Sequence, residues 1–363
     1  MDALATILAK SVLDHDDLVT LLSLDAPDDL QRLYDAAYQM KLREVGPVAY
    51  LRGLVEVTNI CNLDCLYCGI RRSNDDLERY IVEADEVLAA ARWAWDQGFG
   101  SAVLQGGERC DATFVSYIEE ILQGMQNFAK GGIGVTLSLG EQTEETFLRW
   151  RRAGAQRYLL RIETTNRELF AGIHADDQCF DERLAALGRL RTCGYQVGTG
   201  VMIGLPGQTL DDLARDVLFM REQDIDMVGM GPFIPHQDTP MADSLGDFEA
   251  IKDQQLELGL KMIACVRLAL RDVNIASTTA LQALGSVGRE RGLKAGANIL
   301  MPNLTDTRFR RGYQLYDGKP GLDEGSEEST QALQRSVEAI GETIGYHQLG
   351  TSPHFTRRTG GDG

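Results

Sequence analysis

Three cysteines stand close together in the first fifth of the chain, in the stretch Cys61-Asn-Leu-Asp-Cys65-Leu-Tyr67-Cys68. Cysteine thiolates are the usual ligands of iron–sulfur clusters, and three of them at this spacing can hold three corners of a cuboidal cluster. The fourth iron would then lack a protein ligand, and an open coordination position distinguishes a catalytic metal site from a structural one. The spacing therefore predicts a cluster with one iron free to bind a cofactor.

A zinc site or three unrelated buried thiols are the alternatives for the same cysteines. Zinc usually takes four ligands that come in pairs, and no second Cys or Cys/His pair follows Cys68 at a suitable distance. The other cysteines share no spacing with one another and are interpreted as packing residues: Cys110, Cys179, Cys193 and Cys265. We therefore prefer the iron–sulfur interpretation.

The predicted secondary structure that positions these cysteines differs between three parts of the chain. Residues 1–48 carry apolar residues at helical spacing and predict an N-terminal helical extension. Residues 49–320 alternate strand-like runs with amphipathic helices, and residues 321–363 predict a closing helix at 327–345 followed by a disordered tail. The candidate strands are 54–58, 101–105, 134–139, 157–163, 196–203, 226–231, 274–279 and 297–302.

Eight strands with crossover helices are typical of a TIM-type barrel. We therefore predict an α/β fold with a complete (βα)8 barrel, an N-terminal helical cap and a C-terminal closing helix, all in one domain. An open doubly wound sheet is the alternative. The segment 209–221 illustrates the helices, because Thr209 is a plausible N-cap before an apolar face.

In such a barrel the reacting groups lie at the carboxyl ends of the strands. The second strand runs into Gly106-Gly107-Glu108, where a bare backbone allows close approach of a ligand. Period-two geometry places Arg161 and Glu163 on one face of the fourth strand. Two opposite charges facing a barrel interior are costly to bury unless they are paired or bind a ligand, so either a structural ion pair or a ligand site is expected there.

The composition excludes several classes of function. The chain has 363 residues and a net charge of −18, which argues against nucleic acid and anionic membrane surfaces as partners. No apolar run is long enough to span a membrane, and the N-terminus lacks the pattern of a signal peptide. Seven cysteines, an odd number with three in one motif, fit a reducing cytoplasm better than a disulfide framework.

The cysteine motif, with Tyr67 before the last cysteine, resembles that of the radical S-adenosylmethionine (SAM) superfamily. The resemblance to the HydE family of FeFe-hydrogenase maturases is closer and extends from about residue 45 to residue 320. It is carried by the following motifs: Asn59-Ile-Cys61-Asn-Leu-Asp-Cys65-Leu-Tyr-Cys68-Gly-Ile-Arg71-Arg72, Val135-Thr-Leu-Ser-Leu-Gly-Glu141, Arg157-Tyr-Leu-Leu-Arg161, Gly204-Leu-Pro-Gly-Gln-Thr209, Asp226-Met-Val-Gly-Met-Gly-Pro-Phe-Ile-Pro-His236 and Tyr313-Gln-Leu-Tyr316.

The resemblance implies one 4Fe–4S cluster on Cys61, Cys65 and Cys68, and SAM bound to its fourth iron and cleaved to methionine and a 5′-deoxyadenosyl radical. The residues that it implies for SAM are Tyr67, Gln105, Gly106, Gly107, Glu108, Thr136, Ser138, Glu163, Arg183, Met202 and Tyr313. For the substrate end they are Arg161, Thr278, Thr279 and Met301.

The family's substrate is a small iron–cysteine complex that bears carbon monoxide and cyanide. By resemblance, it comes from a tyrosine-cleaving maturase, the product passes to a scaffold maturase, and a ferredoxin or flavodoxin supplies electrons. Some members carry an auxiliary cluster on later cysteines. No cysteine follows Cys265, so none is expected here.

Three other functions remain possible from the sequence. A methylornithine synthase-like mutase is similar to this family and also needs one cluster. Biotin synthase-like sulfur insertion is disfavoured, because no further cysteine set suggests a second cluster. A non-catalytic iron–sulfur carrier would need the three cysteines alone and would leave Gly106-Gly107-Glu108 unexplained.

Overall fold

The computed structural model describes residues 2–360, which contain fifteen helices and eleven strands. The helices are α1 (Ala3–Leu8), α2 (His15–Leu22), α3 (Pro27–Glu44), α4 (Ala84–Asp96), α5 (Ala112–Ala129), α6 (Glu144–Ala153), α7 (Arg167–Ile173), α8 (Phe180–Thr192), α9 (Leu210–Glu222), α10 (Phe248–Leu270), α11 (Thr279–Leu284), α12 (Gly288–Lys294), α13 (Thr307–Arg310), α14 (Ser326–Ala339) and α15 (Pro353–Thr359). The strands are β1 (Val48–Thr58), β2 (Ser101–Gly106), β3 (Gly134–Ser138), β4 (Arg157–Leu159), β5 (Gln196–Thr199), β6 (Met202–Ile203), β7 (Met227–Val228), β8 (Gly231–Pro232), β9 (Asn274–Ile275), β10 (Ile299–Leu300) and β11 (Thr343–Ile344).

The principal sheet is parallel and strongly curled, with strand order β10-β1-β2-β3-β4-β5-β7-β9. Its eight strands turn through 265°. The two edge strands approach each other at a bridge between Ala276 and Ile299, where Ser277 N donates to Ile299 O over 2.9 Å. The α/β class with parallel strands is therefore confirmed.

Most of the regular strands are shorter than the sequence predicts, whereas β1 begins six residues before the predicted strand 54–58. β4 ends at Leu159 instead of residue 163, and the chain then passes through Glu163 at φ +66°. The predicted strand 196–203 divides into β5 and β6 around Gly200, where a Cβ would lie 1.9 Å from the carbonyl oxygen of Gly229. The main chain thus leaves the sheet ladder where side chains begin to face the cavity described below.

Helices form both in the N-terminal region and between the strands of the sheet, where the sequence predicts them. α2 packs against α9, and α3 packs against α10. Thr209 caps α9 through a reciprocal capping box with Asp212. Within residues 2–360, none of the helices combines the length and the apolar character that crossing a membrane requires.

The C-terminal segment closes the amino-end side of the sheet. β11 pairs with β1, and two carbonyl groups that follow it accept hydrogen bonds from buried arginines. Arg157 Nη2 donates to Leu349 O over 2.7 Å, and Arg52 Nη2 donates to Gly350 O over 3.2 Å. The predicted closing helix is α14, which ends at Ala339. The tail predicted to be disordered begins within α15, and its last residues, 361–363, lie outside the described residues.

A buried ion pair joins the two ends of the chain. Lys41 on α3 and Glu342 before β11 are both fully buried, and Lys41 Nζ lies 2.6 Å from Glu342 Oε1. Burial lowers the pKa of Lys41 to about 8, although Glu342 opposes this shift. Removing one member of such a pair leaves an uncompensated buried charge.

We expect Glu342→Gln to lower the free energy of unfolding by roughly 3 kcal/mol, because Lys41 loses its buried counter-ion. Glu328→Gln, on the exposed side of α14, is the matched control and should change stability by less than about 0.5 kcal/mol. Urea unfolding of both variants at neutral pH checks this. Equal midpoints in the two variants would refute the role assigned to the pair.

Candidate active site at the carboxyl end of the sheet

The loop that carries the three cysteines, residues 59–71, is fixed by main-chain contacts from several sides. Asn62 N donates to Glu108 O over 2.9 Å, and Leu66 N donates to Ile173 O over 2.9 Å. The guanidinium of Arg79 donates to the carbonyl oxygens of Asn59, Ile70, Arg71 and Asn74. These contacts fix the loop through its main chain.

Gly107 is required by the packing of this cysteine loop on the end of β2. A Cβ at Gly107 would lie 2.3 Å from Ile60 O and 2.8 Å from the Cβ of Cys61. Any larger residue would therefore displace the loop. The bare backbone that the sequence assigned to a ligand is, at this glycine, occupied by the carbonyl of Ile60.

The thiols of the three cysteines lie at the mouth of a cavity, partly buried and near one another. Leu63 N and Glu108 N point at Cys61 Sγ over 3.4 and 3.3 Å. Burial raises the pKa of Cys65 to about 11, and burial together with the other thiols raises the pKa of Cys68. Bound metal reverses this preference, because a coordinated thiol is deprotonated.

The geometry of these thiols suits a cluster better than a single ion. In residues 2–360, no three His, Cys, Asp or Glu side chains converge closely enough to ligate one metal ion. A cuboidal cluster makes a different demand, since each thiolate binds its own iron. The N–H groups aimed at Cys61 Sγ are of the kind that tunes iron–sulfur clusters, so the residues fit such a group.

A cavity of about 310 Å³ opens behind the cysteines. It is lined by almost all residues that the sequence assigns to the site, and these are Cys61, Cys65, Tyr67, Cys68, Gln105, Gly106, Gly107, Glu108, Ser138, Arg161, Glu163, Arg183, Met202, Thr278, Thr279, Met301 and Tyr313. Thr136 is the exception. It is buried two residues before Ser138, it does not reach the wall, and its hydroxyl has no hydrogen-bond partner.

Glu163 is the central carboxylate of this cavity. It is 6% exposed, and burial raises its pKa although Arg161 and Arg183 oppose the shift. Arg161 Nη2 lies 2.9 Å from Glu163 Oε2 and also donates to Val201 O over 2.8 Å. The Glu163 Oε2 atom is buried and makes no well-oriented hydrogen bond. The pair is therefore structural in part, and the other oxygen, Glu163 Oε1, accepts from Tyr67 Oη over 3.5 Å.

The turn after Glu163 is held by a second buried carboxylate. Asp216 on α9 is completely buried, and its Oδ1 accepts from Thr165 N over 2.7 Å and from Thr165 Oγ1 over 2.6 Å. Burial raises its pKa to about 7. This contact positions Glu163 from outside the cavity.

Arg183 is buried and paired, so it is not the solvated helix residue that its position on α8 also allowed. It donates to Glu141 Oε1 and, over 2.7 Å, to Arg161 O. Glu108 Oε2 accepts from Glu141 N over 2.7 Å, and burial raises the pKa of Glu108 to about 7. The Gly-Gly-Glu motif and the arginine thus belong to one connected network beside the cysteines.

The far end of the cavity carries hydroxyl groups. Tyr316 Oη donates to Thr279 Oγ1 over 2.8 Å. The hydroxyl of Thr278 is buried without a hydrogen-bond partner in the described part of the chain. With Met301 beside them, these groups form a compact wall that suits a small polar ligand.

Sequence reasoning missed several residues of this site. Glu56 and Lys319 form a buried ion pair in the cavity wall, and Gln178 Oε1 accepts from Cys65 Sγ over 3.4 Å. Glu56 left a signal, because it interrupts the apolar run of β1. Lys319 and Gln178 gave no signal in the sequence, because both lie in loops without a periodic pattern.

The remaining cysteines only partly follow their prediction. Cys193 and Cys265 are buried, as packing residues should be, but Cys110 and Cys179 are exposed, so the packing interpretation is wrong for these two. His236, which we do not assign to catalysis, lies outside the cavity wall and packs against Gly69 of the cysteine loop.

Comparison with known proteins agrees with this site. The model of the radical SAM superfamily matches residues 55–220. The FeFe hydrogenase maturase subunit HydE of Thermotoga maritima is 41% identical over 317 residues, which cover 87% of this chain and 87% of that protein.

A second group of relatives is more distant. The 3-methylornithine synthase of Methanosarcina acetivorans is 27% identical over 308 residues, which cover 84% of this chain and 83% of that protein. The crystal structure of methylornithine synthase (PylB) superimposes with a TM-score of 0.79 at 23% identity and covers 95% of this chain and 97% of that one. This structural likeness shows a shared fold.

We expect Cys65→Ala to lose the iron–sulfur chromophore and all SAM cleavage while the far-ultraviolet circular dichroism of the protein is unchanged. The loop is fixed by main-chain contacts, so the fold does not depend on that thiol. Cys193→Ala, a buried cysteine outside the loop, is the control and should keep its iron. Iron and sulfide analysis after anaerobic reconstitution gives the answer, and full iron content in Cys65→Ala would contradict the assignment.

We expect Asp216→Asn to flatten the pH dependence of stability. The pKa of Asp216 is higher in the folded protein than its ordinary 3.8, so its contribution is complete below pH 4 and is lost as the pH rises to about 7. The variant should gain roughly 1–3 kcal/mol relative to the wild type between pH 5 and pH 8. Glu222→Gln on the exposed side of α9 serves as control. If the free energies of unfolding of wild type and variant change in parallel with pH across this range, the role assigned to Asp216 is ruled out.

Proposed function

We propose that this chain, which belongs to the radical SAM superfamily and within it to the HydE family, cleaves SAM reductively in the assembly of the active-site cluster of FeFe hydrogenase. The observation that carries the proposal is that the cysteine loop and all predicted SAM and substrate residues except Thr136 line one cavity. The identity of 41% to a HydE across most of both chains supports a role in hydrogenase maturation.

Cys61, Cys65 and Cys68 would hold a 4Fe–4S cluster, and the Gly106-Gly107-Glu108 motif with Glu163 and Arg183 would hold SAM. When bound, this pair supplies a 5′-deoxyadenosyl radical by one-electron cleavage of the sulfonium. The protein's contribution is binding, orientation and exclusion of water.

The charged residues of the cavity suit the charges of SAM. Glu163 Oε2 is a buried acceptor without a well-oriented partner, and it suits a ribose hydroxyl or an ammonium group. Arg183 sits beside the cysteines on the same network as Glu108 and suits a carboxylate. Because these groups are held by neighbouring main-chain atoms, little reorganisation is needed on binding.

The substrate end suits a small anionic complex. Arg161 faces the cavity next to Glu163, and the hydroxyls of Thr278 and Thr279 provide further polar contacts. We propose that this end takes an iron–cysteine complex with carbon monoxide and cyanide ligands from a tyrosine-cleaving maturase and passes its product to a scaffold maturase. A ferredoxin or flavodoxin would supply the electron.

We propose one cluster and no auxiliary cluster, on the ground that no cysteine follows Cys265. The 15 residues predicted for SAM and substrate, including Thr136 with its unpartnered hydroxyl, stay assigned as the resemblance implies. A reducing cytoplasmic setting is supported by seven free cysteines.

We also propose that the barrel is complete. The bridge between Ala276 and Ile299 and the bond from Asn298 N to Ile275 O, 2.9 Å long, support closure. The division into an N-terminal extension (1–48), a barrel (49–320) and a C-terminal part (321–363) is proposed on the same basis, with all three packed as one domain.

The proposal is tested by product analysis under anaerobic, reducing conditions. We expect 5′-deoxyadenosine and methionine from the reconstituted wild type, with turnover stimulated by the iron–cysteine complex and not by lysine. Stimulation by lysine with formation of methylornithine would favour the mutase, whose fold is shared. Absence of 5′-deoxyadenosine from a fully loaded protein would favour a non-catalytic carrier. Arg161→Met should lose the response to the iron–cysteine complex while keeping slow SAM cleavage.

A further inference from the structure

One segment of the chain, residues 312–319, contacts every functional part of the cavity, and we call it the closing segment. It meets the cysteine loop, the SAM end and the substrate end. Three hydrogen bonds make these contacts: Gly69 N to Leu315 O at 3.2 Å, Gln105 Nε2 to Tyr313 Oη at 3.3 Å, and Tyr316 Oη to Thr279 Oγ1 at 2.8 Å. The closing segment has no regular secondary structure after the helical turn α13, so individual main-chain and side-chain contacts hold it in place.

A buried ion pair anchors this segment to the first strand. Lys319 Nζ donates to Glu56 Oε1 and, over 2.7 Å, to the carbonyl oxygen of Tyr313. It also lies 5.0 Å from the centre of the Tyr313 ring. The side chains of Lys319 and Glu56 are 7% and 1% exposed. One lysine thus ties both ends of the closing segment to β1.

Glu56 is itself fixed on the strand side. Its Oε2 accepts from Asn303 Nδ2 over 3.2 Å, and its main-chain N–H donates to Thr305 Oγ1 over 2.8 Å. Both members of the pair line the principal cavity. The anchor is therefore fixed to β1 on one side and holds the closing segment on the other.

Lys319 also lies between two cavities. Behind it lies a second cavity of about 30 Å³, also lined by Arg289 and Arg310. The residues that line both cavities are Leu54, Thr279, Met301 and Lys319. Apolar residues of similar volume often replace a buried ion pair without loss of stability, so stability alone does not explain a charged pair in this partition.

We propose that Glu56 and Lys319 are a positioning pair, which holds Tyr313 at the SAM end and keeps the closing segment across the cavity. Neither residue needs to take part in bond cleavage. The inference rests on the proposed function, since it assigns Tyr313 to the SAM end. It predicts that the pair sets the affinity for SAM and not the chemical step.

The experiment compares Glu56→Gln, Lys319→Met and the double variant. Each single variant leaves one buried charge without its partner, so both should unfold at lower urea concentration than the wild type. The double variant removes both charges and should recover most of the midpoint. The control is Arg311→Gln, which breaks the exposed ion pair with Asp323 on the neighbouring stretch.

The readouts are the unfolding midpoint, the KM and kcat for SAM, and the dissociation constant of SAM from equilibrium dialysis. We expect Lys319→Met and the double variant to raise the KM and the dissociation constant about tenfold, the loss of one charge-assisted contact. The kcat at saturating SAM should stay within about twofold. The control should match the wild type in every readout.

Two results would overturn the proposal. If the double variant recovers both its stability and the SAM affinity of the wild type, the pair has only a structural role. If Lys319→Met binds SAM with the affinity of the wild type, Lys319 does not position the SAM end. A wild type that binds SAM and makes no 5′-deoxyadenosine would contradict the proposed function instead, and the dialysis values would still test the pair.

Discussion

The site depends on the close approach of the cysteine loop to the end of β2. Gly107 allows it, because a Cβ there would lie 2.3 Å from Ile60 O. The approach lets Asn62 N reach Glu108 O, and it places Glu108 N 3.3 Å from Cys61 Sγ. The cysteine loop and the Gly-Gly-Glu motif are consequently one packed unit. In the proposed function, a cofactor that binds both the cluster and that motif would meet them in a fixed relation, which is the condition for orienting a reactive bond.

Cationic side chains build the remainder of the site, and each of them donates to main-chain carbonyls. Arg79 secures the cysteine loop, Arg183 donates to Arg161 O, and Lys319 donates to Tyr313 O. A buried cation is costly unless its donors are satisfied, and Arg183 and Lys319 each pair with a carboxylate as well, that of Glu141 or Glu56. The carboxylates Glu108 and Glu163 lie at the same wall, with pKa values raised by burial.

The sequence was informative wherever the signal is local. Cysteine spacing, the glycines after β2 and the alternation of Arg161 with Glu163 are each encoded within a few residues, and the structure places all of them at one cavity. The eight strands of the main sheet path were also predictable, because most of them are short apolar runs followed by an amphipathic helix. Strand ends were less predictable, since they depend on contacts such as that of Gly200 with Gly229.

What the sequence did not reveal are contacts between distant residues. Glu56 and Lys319 are 263 positions apart, and no periodicity connects them. The carbonyls of Leu349 and Gly350 reach Arg157 and Arg52 only after the chain has returned beneath the sheet. Thr136, which the resemblance assigns to SAM, is buried two residues before Ser138 and does not line the cavity, because the sequence does not show how far the cavity reaches.

The central claim is that three thiolates hold a 4Fe–4S cluster whose fourth iron binds SAM at this cavity. Electron paramagnetic resonance of the reconstituted and reduced protein, recorded with and without SAM labelled with ¹⁵N in its amino group, tests it most directly. The account predicts a 4Fe–4S signal that shifts on addition of SAM and shows hyperfine coupling to the labelled nitrogen. A signal that SAM leaves unchanged, or a protein that takes up zinc and gives no such signal, would contradict it.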